Sequence, residues 1–183
     1  LKPGFSKEYF DTLLKETNTD LTGEAYEVIF NDKDAKKVNL NEADGLIKGS
    51  AVNMYGEDIT AAEVDAFYAN KKSPNPEKPL SFGINSKLVK ENGKLVEKVY
   101  KSGGLYGDAI DEIVKWLEKA KGVAENEKQA NALGLLIKYY QTGDLKTWDE
   151  YNVAWVEATE GNIDYINSFI EVYNDPKGYT GSY

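Results

Sequence analysis

The side chains able to do chemistry in this 183-residue chain are carboxylates, lysines, hydroxyls and phenols, because it contains no histidine, cysteine or arginine. That inventory excludes His- or Cys-ligated zinc within the chain, a thiol nucleophile and a Ser-His-Asp triad. It also excludes the guanidinium fork that grips a phosphate or carboxylate in two places. Charge narrows the field further. The 22 basic residues against 31 acidic ones leave a net charge of −9. Neutralising nucleic-acid phosphates needs a basic face, so no nucleic-acid partner is expected.

Four groupings of the remaining side chains are worth testing. Residues Asn31 to Asp44 are rich in Asp and Asn, and Asp32 and Asp34 begin an EF-hand spacing. Lys36 then stands at the third ligand position and Lys37 at the required glycine, so the stretch reads as a solvated loop. Trp148, Tyr151, Asn152 and Trp155 fall at i, i+3, i+4 and i+7. Aromatics at helical spacing are more often core than sugar platform, and core is expected here. Two carboxylates could serve a glycosidase, but no pair is singled out. Last come Glu171 and Tyr173, a carboxylate and a phenol two residues apart. In a strand they share a face at roughly 7 Å and can line one cleft. In a helix they diverge by about 200°.

The elements that must position these residues are marked by caps, breakers and periodicity. Ser6 can cap a first helix, with Phe5 and Phe10 as its hydrophobic staple and Leu13 and Leu14 on its apolar face. Gly23 to Gly56 reads as irregular and polar, apart from one strand-like piece at Tyr26 to Phe30. Thr60 and Glu63 form a capping box ahead of Val64, Phe67 and Tyr68. Residues 73–79 hold three of the five prolines and mark a possible internal joint. Residues 1–183 are otherwise read as one domain, or part of one in a larger protein. Leu80, Phe82 and Ile84 alternate as in a strand. Asn92-Gly93 predicts a type I′ hairpin turn, with Val89 facing Val96 and Lys90 facing Leu95.

Three helices follow. The first carries Leu105, Ala109, Ile110, Ile113, Val114 and Leu117 and ends near Gly122. The second, from about Glu125 to Gln141, buries Leu133, Leu136, Ile137 and Tyr140. Gly143 stops it, Asp144 caps the next, and that one bears the aromatic stripe. From Ile163 to Tyr173 a helical face can be drawn, but β-branched and aromatic residues favour a strand. As a strand, Ile166, Ser168, Ile170 and Val172 point one way. Tyr165, Asn167, Phe169, Glu171 and Tyr173 then point the other. Asp175-Pro176-Lys177-Gly178 supplies a turn. The expected fold is α+β: a β-hairpin sheet fragment packed with a three-helix stretch and a C-terminal strand.

Phe169-Ile170-Glu171-Val172-Tyr173-Asn174-Asp175-Pro176-Lys177-Gly178 resembles the F-I-E-x-Y-x-D-P-x-G block of the dipeptidyl peptidase III family of zinc peptidases, in its bacterial branch. Gly83-Ile84-Asn85-Ser86-Lys87-Leu88-Val89-Lys90 is similar to that family's N-S/T-K/R-L strand. Gly103-Gly104-Leu105-Tyr106 and Tyr139-Tyr140-Gln141-Thr142-Gly143-Asp144 fall in the family's order. The resemblance covers most of Ser50 to Tyr183 and is weakest before Gly49. Thr180-Gly181 stands where the family usually has R-G. The zinc motif H-E-x-x-G-H and the second motif E-E-x-[RK]-A-[DE] are absent, and in family order both lie downstream.

The resemblance implies the substrate-binding part of a zinc exopeptidase that releases N-terminal dipeptides from oligopeptides. Glu171 matches the glutamate that receives the peptide's free ammonium, and Tyr173 the tyrosine that supports the oxyanion. Asn167 shares their face in the strand reading and is a lesser candidate contact; Asn85 and Ser86 carry no assigned role. Zinc belongs to the parent enzyme, and this chain alone is expected to bind none and to be inactive. The expected partners are an oligopeptide substrate and the remaining zinc-bearing lobe. The rival reading is a non-catalytic, acidic, Tyr-rich binding or scaffold domain with an exposed aromatic patch. No apolar run approaches the ~18 residues that span a bilayer, so no membrane partner is expected. A cytoplasmic setting is expected, with a periplasmic or lipoprotein-anchored parent as the alternative. Leu1 is neither a natural start nor part of a signal peptide, which fits a processed or excised segment.

Overall fold

Backbone N–H groups at a helix start need an acceptor, and here side chains supply it at four of the five helices bounded below. The computed structural model describes residues 3–21, 23, 26, 29–30, 43, 45–46, 54–167 and 175–181. Ser6 accepts from the Tyr9 amide at 3.1 Å and opens α1 (Lys7–Glu16). Phe5 stacks on Phe10 with centroids 5.5 Å apart, so the staple forms. Tyr26, Ile29 and Phe30 are helical, which corrects the strand-like reading of that piece. Their spacing explains it: Tyr26 and Phe30 stand one turn apart and both rings meet Phe10, at 6.2 and 5.6 Å. Nearly all of the Asp/Asn-rich stretch 31–44 lies outside the described residues.

The Thr60–Glu63 capping box forms and opens α2 (Ala61–Ala69), which buries Val64 and Tyr68. Residues 80–84 do not make a strand. Phe82 N–H donates to Leu80 C=O and Ile84 N–H to Ser81 C=O, Gly83 C=O accepts from Ser86 N–H, and Leu80 N–H goes to Ser73 Oγ. Successive tight turns therefore place those alternating side chains. The ladder begins at β1 (Ser86–Glu91) and returns as β2 (Lys94–Val99), with Val89 opposite Val96 and Lys90 opposite Leu95. Asn92 and Gly93 have φ of 51° and 75°, as a type I′ turn requires. Residues Met54 to Gly56 run beside β1: Leu88 N–H donates to Met54 C=O at 3.0 Å and Gly56 N–H to Leu88 C=O at 2.7 Å. One core forms there from Met54, Tyr55, Ile59, Val64, Tyr68 and Leu88.

The second core belongs to α3 (Gly107–Gly122), α4 (Glu127–Thr142) and α5 (Leu145–Glu157). Ile110, Leu136, Tyr139, Tyr140 and Tyr151 are buried in it, with Trp148 and Trp155 packed against them. Burying each large apolar side chain contributes roughly 1.5–3 kcal/mol. Asn126 and Asp144 cap α4 and α5 through the amides of Gln129 and Thr147. The two cores meet at Gly143. Its φ is 70°, and a Cβ there would stand 2.6 Å from Val99 Cγ1. Its carbonyl accepts from Asn85 Nδ2 at 3.0 Å. Hairpin plus helices make an α+β fold. The proposed C-terminal strand is not present through residue 167, and its remainder, 168–174, lies outside the described residues.

Candidate functional site

Beyond α5 the chain turns back along α4, and Glu125 makes the turn. Its carboxylate accepts from Asn162 N–H at 2.7 Å, Asn162 Nδ2 at 2.9 Å and Ile163 N–H at 3.0 Å. Those bonds, the Asn162 side chain first, bring its pKa down to about 2. Gln129 Nε2 donates to Ile163 C=O at 3.0 Å, and Trp155 Nε1 to Asp164 Oδ1 at 3.1 Å. Held in this way, residues 163–167 are neither helix nor ladder; Ile163 and Asp164 are both exposed, and only from Asp164 onward does burial alternate. Ile166 is 87% exposed, while Tyr165 and Asn167 on either side of it are half-buried against the helices.

Asn167 is therefore the one predicted site residue that the structure places. Tyr140 donates to its Oδ1 at 2.8 Å. Burial pushes the Tyr140 phenol up to about 12, so it keeps its proton and fixes which way the amide faces. The buried Nδ2 and the Tyr165 hydroxyl make no hydrogen bond of good geometry among the described residues, and both interact with the Tyr151 hydroxyl beside them. A cavity of about 420 Å³ opens beside them, lined by Ile113, Leu117, Leu136 and Trp155 among others. An amide donor beside an apolar cavity is suited to a carbonyl oxygen flanked by apolar groups.

On the other side of 168–174 the chain is held by a buried carboxylate. Asp175 is 5% exposed. Its Oδ2 accepts from Tyr55 Oη at 2.5 Å, Tyr179 N–H at 2.8 Å, Thr180 N–H at 2.8 Å and Thr180 Oγ1 at 3.2 Å. Its Oδ1 accepts from Lys177 N–H at 2.9 Å. Burial, and then the Asp175 bond, raise the Tyr55 phenol well above its ordinary range, so it remains a donor. The expected D-P-x-G turn closes with Gly178 N–H on Asp175 C=O at 3.1 Å. Lys177 reaches Asp65 of α2 at 2.8 Å, and Tyr179 stacks on Tyr68 with centroids 4.3 Å apart.

Glu171 and Tyr173 lie outside the described residues; they belong to the stretch between these two anchors. Sequence reasoning saw residues 175–178 only as a turn and missed Tyr55, Asp175 and Thr180 as a unit. No local signal could have paired Tyr55 with a residue 120 positions away. Asn85 and Ser86 do have work: Asn85 ties the hairpin to Gly143, and Ser86 Oγ lies 3.2 Å from Glu97 Oε1. Trp148 and Trp155 pack into the helical core, so neither supplies the patch that the binding-domain reading needs. For a His- or Cys-ligated zinc the donor set is unsuited. The chain has no His or Cys, and among the described residues no three acidic side chains are grouped to hold an ion.

The profile of peptidase family M49 matches residues 24–183. The chain belongs to this family. It is 29% identical to human dipeptidyl peptidase 3 over 80 residues, which are 44% of this chain and 11% of that protein. The rat dipeptidyl peptidase 3 is 28% identical over 80 residues, with the same coverage. Among solved structures, DPP III from Caldithrix abyssi superposes with a TM-score of 0.55 at 23% identity, over 71% of this chain and 24% of that one. Dipeptidyl-peptidase III from Corallococcus sp. strain EGB gives a TM-score of 0.50 at 20% identity, covering 94% and 32%. The match to the curated M49 relatives thus spans about a tenth of their length, and the structural neighbours share its α+β fold.

Proposed function

We propose that this chain is the substrate-anchoring part of a zinc exopeptidase that releases N-terminal dipeptides from oligopeptides. One observation carries the reading: membership of peptidase family M49 across residues 24–183, a span that includes Glu171 and Tyr173. Glu171 receives the peptide's free ammonium. This charge-assisted contact measures off the first residues, so the cut falls after the second. The Tyr173 hydroxyl donates to the oxygen that gains charge in the transition state, worth about 3 kcal/mol. Asn167 supplies its amide N–H to a peptide carbonyl.

Zinc is assigned to the rest of the polypeptide, because this chain's donors do not suit it, and no step here passes through it. The other proposed partner is that same zinc-bearing lobe, and the proposed setting is cytoplasmic. Among the described residues, no helix is long and apolar enough to cross a membrane.

The test compares this chain with a form extended through its native downstream sequence, for zinc content and dipeptide release. The extended form is expected to hold about one zinc and cleave, and the short form to do neither. An extended form that is metal-free and inert sinks the proposal. In an active extended form, Glu171→Ala is expected to raise KM, and Tyr173→Phe to lower kcat by about a hundredfold.

A further inference from the structure

We infer that the cavity between the proline-rich loop at residues 73–80 and α5 is a second peptide site, which holds a free dipeptide with apolar side chains by both of its charged ends. It lies on a different face of α4 from the cavity beside Asn167, and it stands independently of the roles proposed above for Glu171 and Tyr173.

The loop that makes one wall is set by its own sequence. Pro74, Pro76 and Pro79 each have a fixed φ. Leu80 N–H donates to Ser73 Oγ at 2.7 Å and closes the loop. Within it, Lys78 N–H on Asn75 C=O at 3.2 Å and Glu77 N–H on Asn75 Oδ1 at 3.0 Å turn the chain. The facing wall is α5, where Lys146, Asp149, Glu150, Val153 and Glu157 recur at helical spacing on one face. Leu80 and Leu135 add apolar surface, and Val153 is left 59% exposed. About 560 Å³ lies between the walls. A pre-formed cavity of that size, part apolar and edged by a few charged groups, suits a small ligand.

The charges choose the ligand. Lys146 and Glu150 pair with each other at 3.4 Å, one turn apart on α5. The Asp149 and Glu157 carboxylates and the Lys78 ammonium remain, and none of these makes a hydrogen bond or ion pair among the described residues. Burial, and then repulsion from Asp144, raise the Asp149 carboxyl above its ordinary value, and an ammonium beside it offsets both. A cation alone would leave Lys78 without a partner, and an anion alone would leave the carboxylates without one. A molecule carrying both charges satisfies both. A sphere of about 560 Å³ is about 10 Å across and two extended residues span at most about 7 Å, so a dipeptide brings both termini into the one cavity. Its side chains then cover Leu80, Leu135 and Val153.

The experiment titrates leucyl-leucine, its N-acetyl form and its C-terminal amide into the 183-residue chain and follows the backbone amide resonances. Leucyl-leucine is expected to shift Leu80, Leu135, Asp149 and Val153 saturably, and each capped form to bind at least about threefold more weakly. In the Asp149→Asn, Glu157→Gln double variant, acetylation is expected to weaken binding no further, within about twofold. In Lys78→Gln the same is expected of amidation. All three positions lie outside both cores, so the variants are expected to fold. Capped forms that bind as well as the free dipeptide overturn the inference. So do unmoved resonances on α5, or capping penalties that persist in the variants. If Glu171→Ala abolishes the shifts, the dipeptide was in the proposed cleft, which overturns this inference and supports the earlier reading. Calorimetry on the extended form is expected to show the same Asp149-dependent site. Its absence there means that the rest of the polypeptide fills the cavity, which overturns the inference as well. Peptidase activity does not enter the readout, so the failure of one reading is distinguishable from the failure of the other.

Discussion

The helical core and the hairpin core grip the same C-terminal stretch from its two sides, and they are built on different principles. In α3 to α5 the buried residues recur at helical spacing on neighbouring elements: Leu136, Tyr139 and Tyr140 on α4, Tyr151 on α5. The grip there is an exposed one, Glu125 on the backbone of residues 162 and 163. The hairpin core gathers residues from widely separated stretches, from Met54 and Tyr55 through Leu88 to Tyr179. Its grip is the buried Tyr55–Asp175 bond. The helical half can consolidate from near neighbours, whereas the hairpin half needs residues 175–181 to arrive before its polar centre is satisfied.

The largest effects come from cutting each core. Leu136 is 1% exposed and Leu88 is 0% exposed, and replacing either by Ala is expected to cost about 2–5 kcal/mol. All three tryptophans lie in α3 and α5, so their fluorescence reports the helical half. With Gly143 and Asn85 joining the halves, Leu88→Ala is expected to lower the urea midpoint seen by tryptophan as strongly as Leu136→Ala does. An unmoved tryptophan transition in Leu88→Ala breaks the picture of one cooperative unit.

Next in size is the joint. Gly143 and Gly178 have nearly the same φ, 70° and 74°, but only Gly143 has a neighbour where a Cβ would go. Conformation alone costs an alanine about 1–2 kcal/mol at such a φ. The 2.6 Å approach to Val99 Cγ1 adds overpacking of about 1–3 kcal/mol. Gly143→Ala is therefore expected to be the more damaging of the two in chemical denaturation. Equal losses mean that β2 and the α4–α5 turn yield to each other, and that the halves are only loosely joined.

The same contrast explains what could be read from the sequence. The helices were legible to within two residues at most ends because caps and apolar spacing are local: Ser6, Thr60, Asn92-Gly93, Gly143 and Asp144 act within four residues of themselves. Residues 80–84 misled because alternation alone does not distinguish a strand from successive turns; only the destination of each N–H does. Tyr26 to Phe30 misled because so short an apolar run fits either period. Around the cavity and the turn, the 175–178 turn was visible in the sequence, but the Tyr55–Asp175 clasp was not. It joins a lone tyrosine to what read as an ordinary turn aspartate, and burial of a polar pair leaves no pattern in sequence.

The smallest expected effect isolates the exposed grip. Glu125 titrates at about 2 in the folded chain, against an ordinary glutamate value of 4.5. A depressed folded-state pKa means that the carboxylate's contribution is fully present above about pH 4.5 and is lost as pH falls toward about 2. The donors are the amides of Asn162 and Ile163, so these two amide proton resonances are expected to titrate together with a midpoint near 2. Glu125→Gln is expected to abolish that titration and to speed hydrogen exchange at both amides, while the tryptophan urea midpoint stays close to wild type. If Glu125→Gln instead lowers that midpoint as far as a core substitution does, the exposed grip is structural in the same sense as the buried one. The asymmetry between the two anchors of residues 168–174 would then be one of burial alone.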